Sequence, residues 1–574
     1  MRRERLALAA LLIATGALYL WRPGDSGWAN AYYSAAAQAG ATSWKAWFFG
    51  SSDASNAITV DKTPASLWVM GLSARLFGVN AWSILVPQAL MGVGSVWLLY
   101  ATVRRWFSPA AALISGAVLA LTPVAVLMFR FNNPDALLVL LLTAGAYCVT
   151  RAVENASPHW LALAGAAAGF GFLTKMLQAF LVLPAFGLVY LVAAPATAGR
   201  KVLHLAGAFG AMVVAGGWWI AAVELTPDRP FIGGSQTNSV LELTLGYNGF
   251  GRLTGDEVGS VGGGRGWGSP GWARLLGAEM GSQIAWLLPA ALVLLVAGLW
   301  LTNGRARTAL GLWGGWLVVT AGVFSFMNGI IHSYYTVALA PAIAAVVGIA
   351  ATELWERRHE PVAAAVLSGS VALSALQCYV LINGFSTPVA LLVLMAGLIA
   401  AVGLVLSMRW AIPVALVAAL LGPTTYSFAT VITPHTGALP VAGPSTGRMG
   451  MGGGGLLDTT LPDAEVVTLL QENAGSYRWA AATVGSNNAA GLQLASGQPV
   501  MALGGFNGTD PAPTLEQFQE MVRNGQIHYF VDSTMMRGNS GSDAAHQIAE
   551  WVGENYLATT VAGTTVYDLG KAPA

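Results

Sequence analysis

Long apolar segments constrain the fold of this chain more than any other feature. About thirteen of them have the length that crosses a lipid bilayer as a helix. They lie near residues 5–21, 81–103, 110–129, 135–150, 159–174, 176–195, 202–222, 283–302, 308–328, 334–352, 361–381, 387–407 and 411–430. Charged residues make up only 10% of the 574, against roughly 25% in a soluble protein, so lipid must solvate much of the surface. The sequence therefore predicts a polytopic α-helical membrane protein.

The basic residues predict which ends of these segments face the cytoplasm. When the connecting loops are assigned alternately to two sides, most arginines and lysines next to a segment fall on one side, which the positive-inside rule makes cytoplasmic. They are Arg2, Arg3, Arg5, Arg104, Arg105, Arg151, Arg200, Lys201, Arg305, Arg307, Arg357, Arg358 and Arg409. No A-x-A-like cleavage site follows the first segment, so we interpret it as an anchor. We expect a cytoplasmic-membrane protein with its N-terminus inside and its C-terminus outside.

Three segments on the predicted outer side are long enough to carry a function. Residues 22–80 are rich in Trp and Tyr and contain amphipathic stretches typical of helices that lie in the membrane interface. Residues 223–282 form a second, glycine-rich outer loop. A glycine-rich linker at 431–457 separates the predicted transmembrane catalytic domain, 1–430, from a polar tail, 458–574. Strand-like and helix-like runs alternate in that tail, which predicts a small extracytoplasmic α/β domain.

Three cations lie at the outer membrane edge, where few are expected. Arg130 precedes Asp135 across a short turn in MFRFNNPDALLVLLL, Lys175 interrupts GFLTKMLQAF, and Lys62 follows Asp61 in VDKTPASLW. Ionisable groups at this depth are costly, so a functional role is the first hypothesis. Arginine and lysine at that depth suit the phosphate of a lipid headgroup, and a carboxylate beside them is placed to act as a general base on an acceptor hydroxyl.

Each of these residues also has a structural alternative. Lys62 can extend its ammonium group to the interface, and Arg130 can pair with Asp135 as a structural lock. In NNPD, the order Asn133, Pro134, Asp135 matches N-cap, N1 and N2 of a new helix, where the helix dipole favours a carboxylate without any catalysis. The convergence of two carboxylates, three cations and many aromatic rings on one predicted face favours a functional site.

Several of these segments resemble the GT-C membrane glycosyltransferases. The DKTP element, the RFNNPD turn, the lysine in LTKMLQ and a C-terminal outer domain are similar to the group of protein O-mannosyltransferases and the aminoarabinose transferase of lipid A. NAYYSAAAQAG, SWKAWFFGS, ITVDKTPASLWVM, LGYNGFGRL and HSYYTVALAPAIAA resemble bacterial glycosyltransferase family 39 proteins of actinobacteria and bacilli, over nearly all of residues 1–440. The resemblance implies a polyprenyl-phosphate-linked monosaccharide donor, inverting transfer to a hydroxyl on the outer face of the membrane, and a carboxylate base.

The resemblance also implies roles for the charged residues. Lys62, Arg130 and Lys175 are expected to hold the donor phosphate. Many GT-C enzymes carry an Asp-Glu pair early in the first outer loop, where this chain reads WANAYY, so Asn30 stands where an acid is expected and cannot act as a base. The base is then expected among three carboxylates, of which we rank the first two above the third: Asp61, Asp135 and Asp53.

The remaining candidates are polar and aromatic residues expected to line a sugar or acceptor pocket. They are Asn30, Tyr32, Tyr33, Asn133, Tyr247, Asn248, Arg252, His332, Tyr334 and Tyr335. His332 can instead cap its helix, and the glycine-rich loop around Tyr247 can serve the backbone conformation alone. The run PHTGALPVAGP, 434 to 444, can close over the site. The sequence has no HExxH, CxxC or clustered-histidine spacing; Asp61 and Asp135 are able to share a divalent cation, but nothing requires one.

Other function classes stay open at this point. A lipid-linked glycan transporter would also place charges in membrane segments, and a polysaccharide or oligosaccharide ligase would share the cation cluster. The tail by itself is also compatible with a module that recruits a cell-wall polymer. The charges cluster at the outer edge and no internal repeat of the transporter kind is evident, which favours the enzyme. The net charge of +1 offers no footprint for nucleic acid. The acceptor is a glycan, lipoglycan or protein, and the sequence specifies neither it nor the sugar.

Overall fold

The structure is a computed structural model that describes residues 2–260, 268–444, 459, 461–533 and 540–572. The first helix, α1 (Arg2–Leu20), leads through a short 3-10 turn into the first predicted outer loop. Three short helices form this loop: α2 (Ala31–Thr42), α3 (Trp44–Phe49) and α4 (Ala65–Phe77). α2 packs against both α3 and α4, and Trp47 Nε1 donates to the carbonyl of Trp68 at 2.9 Å. The helices predicted for residues 22–80 are therefore present.

Seven helices follow, and the last of them packs on an earlier one through close contacts between small residues. They are α5 (Ala81–Arg104), α6 (Pro109–Leu121), α7 (Pro123–Met128), α8 (Asp135–Asn155), α9 (Pro158–Lys175), α10 (Leu183–Ala193) and α11 (Ala198–Glu224). α9 packs most closely on α11. A Cβ atom on Gly165 would lie 2.0 Å from the carbonyl oxygen of Ala208. Small residues that let two backbones approach are the usual basis of helix pairing in membranes.

The second predicted outer loop contains two short helices, and seven more helices complete the bundle. The loop holds α12 (Val240–Leu245), a π-helical turn (Gly246–Phe250) and α13 (Gly251–Thr254). The helices after it are α14 (Gly281–Ile284), α15 (Leu288–Leu301), α16 (Gly304–Phe326), α17 (Ala340–Glu356), α18 (Pro361–Ile382), α19 (Thr387–Val405) and α20 (Ala411–Ile432). Within this loop, residues 261–267 lie outside the described residues.

The polytopic membrane fold predicted from the sequence is confirmed. Across the described part of the chain, 10 helical stretches are long and apolar enough to cross a membrane, and three shorter apolar helices accompany them. One of the ten, Pro158–Ala193, joins two segments that the sequence separates at Lys175. Each of the predicted segments is helical in the structure. The number of membrane crossings, about thirteen from the spacing of apolar runs, stays a prediction.

Residues predicted to face the cytoplasm are neighbours in space. Arg104 pairs with Glu4 of α1 at 2.6 Å, and Arg105 pairs with Glu154 at the end of α8 at 2.7 Å. The indole of Trp106 donates to the same Glu154 at 2.9 Å. The start of α1, the loop at Arg104 and Arg105 and the end of α8, all predicted to be cytoplasmic, therefore lie together at one end of the bundle. We call the opposite end the outer end; its orientation in a membrane is a prediction from this charge pattern.

The predicted C-terminal α/β domain is present. Its elements are α21 (Ala464–Gln471), β1 (Trp479–Val484), α22 (Ser486–Ser496), β2 (Val500–Leu503), α23 (Leu515–Arg523), β3 (Ile527–Val531), α24 (Ala544–Asn555), β4 (Ala558–Val561) and β5 (Thr564–Asp568). The sheet order is β2-β1-β3-β5-β4, with β1 parallel to β2 and β3 and the last two strands antiparallel. α21 and α22 cover one face of the sheet, α23 and α24 the other. Of the predicted linker 431–457, residues 445–457 lie outside the described residues.

The C-terminal domain docks on the first outer loop through specific contacts. Gln493 of α22 donates to the carbonyl oxygens of Ala35 and Ser52, both at 3.0 Å. Apolar residues of α2 and α22 also pack together: Ala31, Ala35, Ala490 and Leu494. The carboxyl end of β2 continues into a turn that reaches the outer end of the bundle. The domain therefore covers the part of the molecule where the predicted site residues lie.

Candidate functional site

A cavity opens at the outer end of the bundle. The outer loops, the helix ends at the RFNNPD turn and at Lys175, and the C-terminal domain all contribute to its wall. The lining residues are Asn30, Tyr32, Tyr33, Asp61, Lys62, Pro134, Asp135, Lys175, Tyr247, Arg252, Ile330, His332, Tyr334, Tyr335, Ala438, Leu439, Phe506 and Asn507. Most of the residues predicted from the sequence therefore meet in one place.

The first carboxylate–lysine pair lies in the DKTP element. The backbone N–H of Asp61 donates to the hydroxyl of Tyr32 at 2.9 Å, which fixes the loop against α2. Lys62 Nζ donates to Asp61 Oδ2 at 2.8 Å, to the Asp61 carbonyl at 3.1 Å and to Asn248 Oδ1 at 2.9 Å. An ammonium group has three N–H donors, so those of Lys62 are all engaged. Lys62 is buried and does not extend to the interface, and burial lowers its pKa.

The second pair joins two helix ends that are 40 residues apart in the chain. Asp135 is the first residue of α8, and the N-cap position falls on Pro134, one residue later than the sequence predicts. Lys175 ends α9, because Met176 adopts a left-handed φ of 49°. Lys175 Nζ donates to Asp135 Oδ1 at 2.6 Å and lies 3.8 Å from the ring centre of Tyr335. The helix dipoles favour both charges, an anion at an N-terminus and a cation at a C-terminus.

In each pair, one carboxylate oxygen has no hydrogen-bond donor among the described residues, and the two carboxylates differ in how exposed they are. Asp135 is 0% exposed, and its Oδ2 is buried without a hydrogen-bond partner among the described residues. Asp61 is 7% exposed, and no described residue donates to its Oδ1. Because both residues line the cavity, the oxygen that a bound molecule reaches with least rearrangement belongs to Asp61.

A third cation comes from the second outer loop. Arg252 lies 4.7 Å from the ring centre of Tyr247 and 3.3 Å from Glu257, and it donates to the carbonyl of Ile330. His332 stacks on Tyr334 at 5.3 Å between ring centres. Burial and the neighbouring cations lower the pKa of His332 well below its usual value, so the imidazole is neutral at physiological pH.

A network of amides joins the first outer loop to the RFNNPD turn. Asn30 Nδ2 donates to Asn133 Oδ1 at 2.9 Å, and the Asn30 backbone N–H donates to Asn132 Oδ1 at 2.8 Å. Asn132 Nδ2 donates back to the Asn30 carbonyl and to Ser34 Oγ. Asn30 lines the cavity, whereas Asn133 lies behind it and positions Asn30. Asn248 likewise does not line the cavity; it accepts a hydrogen bond from Lys62, which does.

The structure corrects the prediction for Arg130. Its guanidinium donates to the carbonyl oxygens of Leu18 and Tyr19 near the end of α1, at 3.0 and 2.9 Å, and to Val431 in α20 at 3.3 Å. These groups belong to helix C-termini, whose carbonyls lack partners within the helix. Arg130 does not line the cavity and does not pair with Asp135. It fastens α1 to α20 and is not placed to hold a phosphate in the cavity.

The structure also corrects the prediction for Asp53. This carboxylate lies outside the cavity, where Oδ1 accepts from Trp479 Nε1 at 3.0 Å and from the Ser55 N–H at 2.9 Å. Oδ2 accepts from the Ala57 N–H at 2.9 Å. Burial raises the pKa of Asp53 to about 6. Asp53 therefore shapes its own loop and holds the C-terminal domain through Trp479, and it is not a candidate base.

Sequence reasoning missed the cavity residues of the tail. Phe506 and Asn507 lie in GGFNG, directly after β2, and both line the cavity. The only local feature that could have predicted this role is an aromatic and an amide residue flanked by glycines. The run 434–444 is placed as the sequence predicts, since Ala438 and Leu439 form part of the cavity wall.

Comparison with known proteins shows the family of this chain. The family model described as dolichyl-phosphate-mannose-protein mannosyltransferase matches residues 61–220, and that of the putative mannosyltransferase YkcB-like C-terminal domain matches 466–555. The putative mannosyltransferase YkcB of Bacillus subtilis (strain 168) is 32% identical, covering 96% of this chain and 92% of that protein. The chain belongs to glycosyltransferase family 39. A second putative mannosyltransferase of that organism, YycA, is 31% identical over 96% of this chain and 94% of its own length.

The family 39 glycosyltransferase also shares its fold with a solved structure. The crystal structure of ArnT from Cupriavidus metallidurans bound to undecaprenyl phosphate aligns with a TM-score of 0.57 and 18% identity, covering 98% of both chains. The apo form of the same protein gives a TM-score of 0.56. At this identity the likeness shows the fold alone, which is the polytopic GT-C fold expected from the sequence.

A divalent cation fits the cavity of this family 39 protein poorly. Hard cations prefer several oxygen ligands, yet Asp61 and Asp135 each contact a lysine ammonium. The described residues contain no group of three or more His, Cys, Asp or Glu side chains that could hold a metal.

Proposed function

We propose that this glycosyltransferase moves a monosaccharide from polyprenyl phosphate to an acceptor hydroxyl, with inversion, at the outer face of the cytoplasmic membrane. The observation that carries the proposal is the cavity itself: two Asp–Lys pairs and Arg252 line one cavity at the outer end of a helical bundle. The ArnT structure that shares the fold is described as bound to undecaprenyl phosphate, which supports a lipid-phosphate donor here.

The donor phosphate is held by Lys175 and Arg252. Among the described residues, Lys175 Nζ has one hydrogen-bond acceptor, Asp135 Oδ1, so two of its three N–H donors have no hydrogen-bond acceptor there, and Lys175 lines the cavity. Arg252 has donors beyond those used by Ile330 and Glu257, and a guanidinium suits bidentate contact with phosphate. Lys62 differs, because its three acceptors are within its own loop and Asn248. Lys62 fixes Asp61 instead of binding phosphate.

Asp61 is the general base. Its Oδ2 accepts from Lys62, no described residue donates to its Oδ1, and the residue lines the cavity. The acceptor hydroxyl oxygen attacks the anomeric carbon from the face opposite the phosphate while its proton passes to Asp61 Oδ1. The bond from the anomeric carbon to the phosphate oxygen breaks, and polyprenyl phosphate leaves with its developing charge stabilised by Lys175 and Arg252. Asp135 holds Lys175 in place.

Substitution of the two carboxylates separates these roles. We expect Asp61→Asn to lower kcat by roughly 10²–10⁴-fold, the usual contribution of a general base, with little change in donor KM. Asp135→Asn removes the partner of Lys175 and should raise donor KM more than it lowers kcat. Asp256→Asn, an exposed carboxylate of the second outer loop, is the matched control and should behave as wild type.

The measurement is release of polyprenyl phosphate from radiolabelled polyprenyl-phosphate sugars by the purified protein. Near-normal turnover by Asp61→Asn would exclude Asp61 as the base. A wild-type protein that is inert toward every monosaccharide donor but consumes a pyrophosphate-linked glycan would replace the proposal with a ligase, and lipid movement without transfer would replace it with a transporter.

A further inference from the structure

The turn after β2 brings the C-terminal domain into the cavity. Residues 504–514 join β2 to α23, and within 504–510 only Phe506 and Asn507 are partly exposed. These two side chains line the cavity, and they are its only lining residues from the described part of the C-terminal domain. The domain therefore contacts the site through one aromatic ring and one carboxamide.

The turn is held in a fixed conformation. Gly504 and Gly508 adopt left-handed φ values of 71° and 76°, and a Cβ on Gly504 would lie 2.4 Å from the carbonyl carbon of Gly508. Only glycine fits this close approach. The Asp510 backbone N–H donates to the Gly504 carbonyl at 3.0 Å, and Asp510 Oδ2 accepts from the Gly234 N–H of the second outer loop at 2.7 Å. The two cavity side chains are thus positioned from both sides.

Phe506 packs against Tyr32, which contacts the proposed base, Asp61. Its ring centre lies 5.0 Å from that of Tyr32, at an interplanar angle of 57°. The Tyr32 hydroxyl accepts from the backbone N–H of Asp61 at 2.9 Å. Phe506 therefore forms the cavity wall next to the place where the acceptor hydroxyl must lose its proton.

Asn507 contacts Tyr247, which in turn contacts Arg252 of the proposed phosphate site. Its Nδ2 donates to the Tyr247 hydroxyl at 3.2 Å and to the Gly259 carbonyl at 3.0 Å, and Arg252 lies over the same Tyr247 ring at 4.7 Å. The transferred sugar is bonded to the phosphate at one side and attacked by the acceptor at the other. It must therefore lie between Arg252 and Asp61, beside Phe506 and Asn507.

We propose that Phe506 and Asn507 form the subsite that recognises the transferred sugar. The phenyl ring covers the C–H face of the sugar ring, and Asn507 Oδ1, to which no described residue donates, accepts from a sugar hydroxyl. Sites that hydrogen-bond a substrate hydroxyl discriminate against analogues in which it is absent or misplaced. The assignment rests on the proposed function, because it requires a lipid-phosphate sugar in this cavity.

The test compares decaprenyl phosphates that carry mannose, glucose or galactose; mannose differs from glucose only in the orientation of the C2 hydroxyl, and galactose differs from glucose only in that of the C4 hydroxyl. We expect Asn507→Ala to reduce the kcat/KM ratio between the best and the next donor about fivefold to tenfold, the worth of one hydrogen bond. Phe506→Leu keeps apolar contact with Tyr32 and should raise KM for every sugar-bearing donor. Binding of sugar-free decaprenyl phosphate should stay within about twofold in both variants, because the phosphate contacts are elsewhere.

Asn555→Ala, a half-buried amide at the end of α24 and outside the cavity, is the matched control for folding and should keep the wild-type donor ranking. An active wild type whose donor ranking and KM values are unchanged in both variants would overturn the subsite while leaving the proposed function standing. An equal loss of affinity for sugar-free lipid phosphate would also overturn it, since the turn would then only support the cavity. A wild type inert toward all three donors and all other lipid-phosphate sugars would overturn the proposed function and the subsite together.

Discussion

Asp510 shows how a single buried carboxyl couples the two parts of the molecule. It accepts from the backbone N–H of Gly234 at 2.7 Å and belongs to the turn that carries the proposed sugar subsite. Burial, with Asp61 and Glu242 nearby, raises its pKa to about 8 from the ordinary value of 3.8. The folded state therefore binds a proton that the unfolded state releases between about pH 4 and pH 8. Stability from this group falls as the pH rises through that window.

Asp510→Asn keeps an oxygen that accepts from Gly234 but cannot ionise. We expect the thermal midpoint of the wild type to fall more than that of the variant between pH 5 and pH 8, measured on the full-length protein in nanodiscs. Asp543→Asn, an exposed carboxylate of the same domain, is the control and should follow the wild type. Parallel pH profiles of the wild type and Asp510→Asn would show that this carboxyl does not destabilise the docked state when it ionises.

At the scale of elements, the position of Lys175 depends on how closely α9 packs on α11. Gly165 and Gly169 of α9 face the backbone of α11, with Cβ positions 2.0 Å from the Ala208 oxygen and 2.5 Å from the Met212 oxygen. No side chain fits without separating the helices. Because Lys175 is the last residue of α9, this packing sets where the proposed phosphate contact lies.

Gly165→Ala should therefore destabilise the protein by about 1–3 kcal/mol, the usual cost of overpacking, and raise donor KM. Gly210→Ala on α11 is the matched control, since a Cβ there meets nothing within 4 Å and alanine is the better helix former. Thermal unfolding in detergent and donor titration measure the two effects. Equal stability of the two variants would contradict the close helix contact.

At the scale of the whole molecule, the C-terminal domain covers the outer end of the bundle, while the start of α1, the loop at Arg104 and Arg105 and the end of α8 lie together at the opposite end. The docking contacts of Trp479 and Gln493 tie the domain to the first outer loop, so the cavity and the domain must lie on the same side of the membrane. The charge pattern of the loops predicts that this side is extracytoplasmic.

Cysteine labelling in intact cells tests this orientation, because both native cysteines, Cys148 and Cys378, are buried. We expect Glu516→Cys on α23 to react with a membrane-impermeant maleimide. Arg305→Cys, an exposed position in a loop predicted to be cytoplasmic, should react only after the cells are permeabilised. Labelling of Arg305→Cys alone in intact cells would reverse the assigned orientation of the whole chain.

The sequence by itself determined the membrane helices, their predicted sidedness and the Asp61–Lys62 pair. Hydropathy, loop charge and residues adjacent in the chain are local properties, which a linear pattern records. It also identified most of the cavity residues, because each lies at a helix end or in an outer loop where a polar group is conspicuous.

Only the tertiary structure decided which charge meets which partner. Arg130 and Lys175 look alike in sequence, yet one fastens α1 to α20 and the other pairs with Asp135 across 40 residues. Asp53 accepts a hydrogen bond from Trp479 outside the cavity, and Phe506 of the C-terminal domain lines the cavity. These outcomes depend on where helix ends and loops converge, and that is fixed by packing between distant segments, which no local pattern encodes.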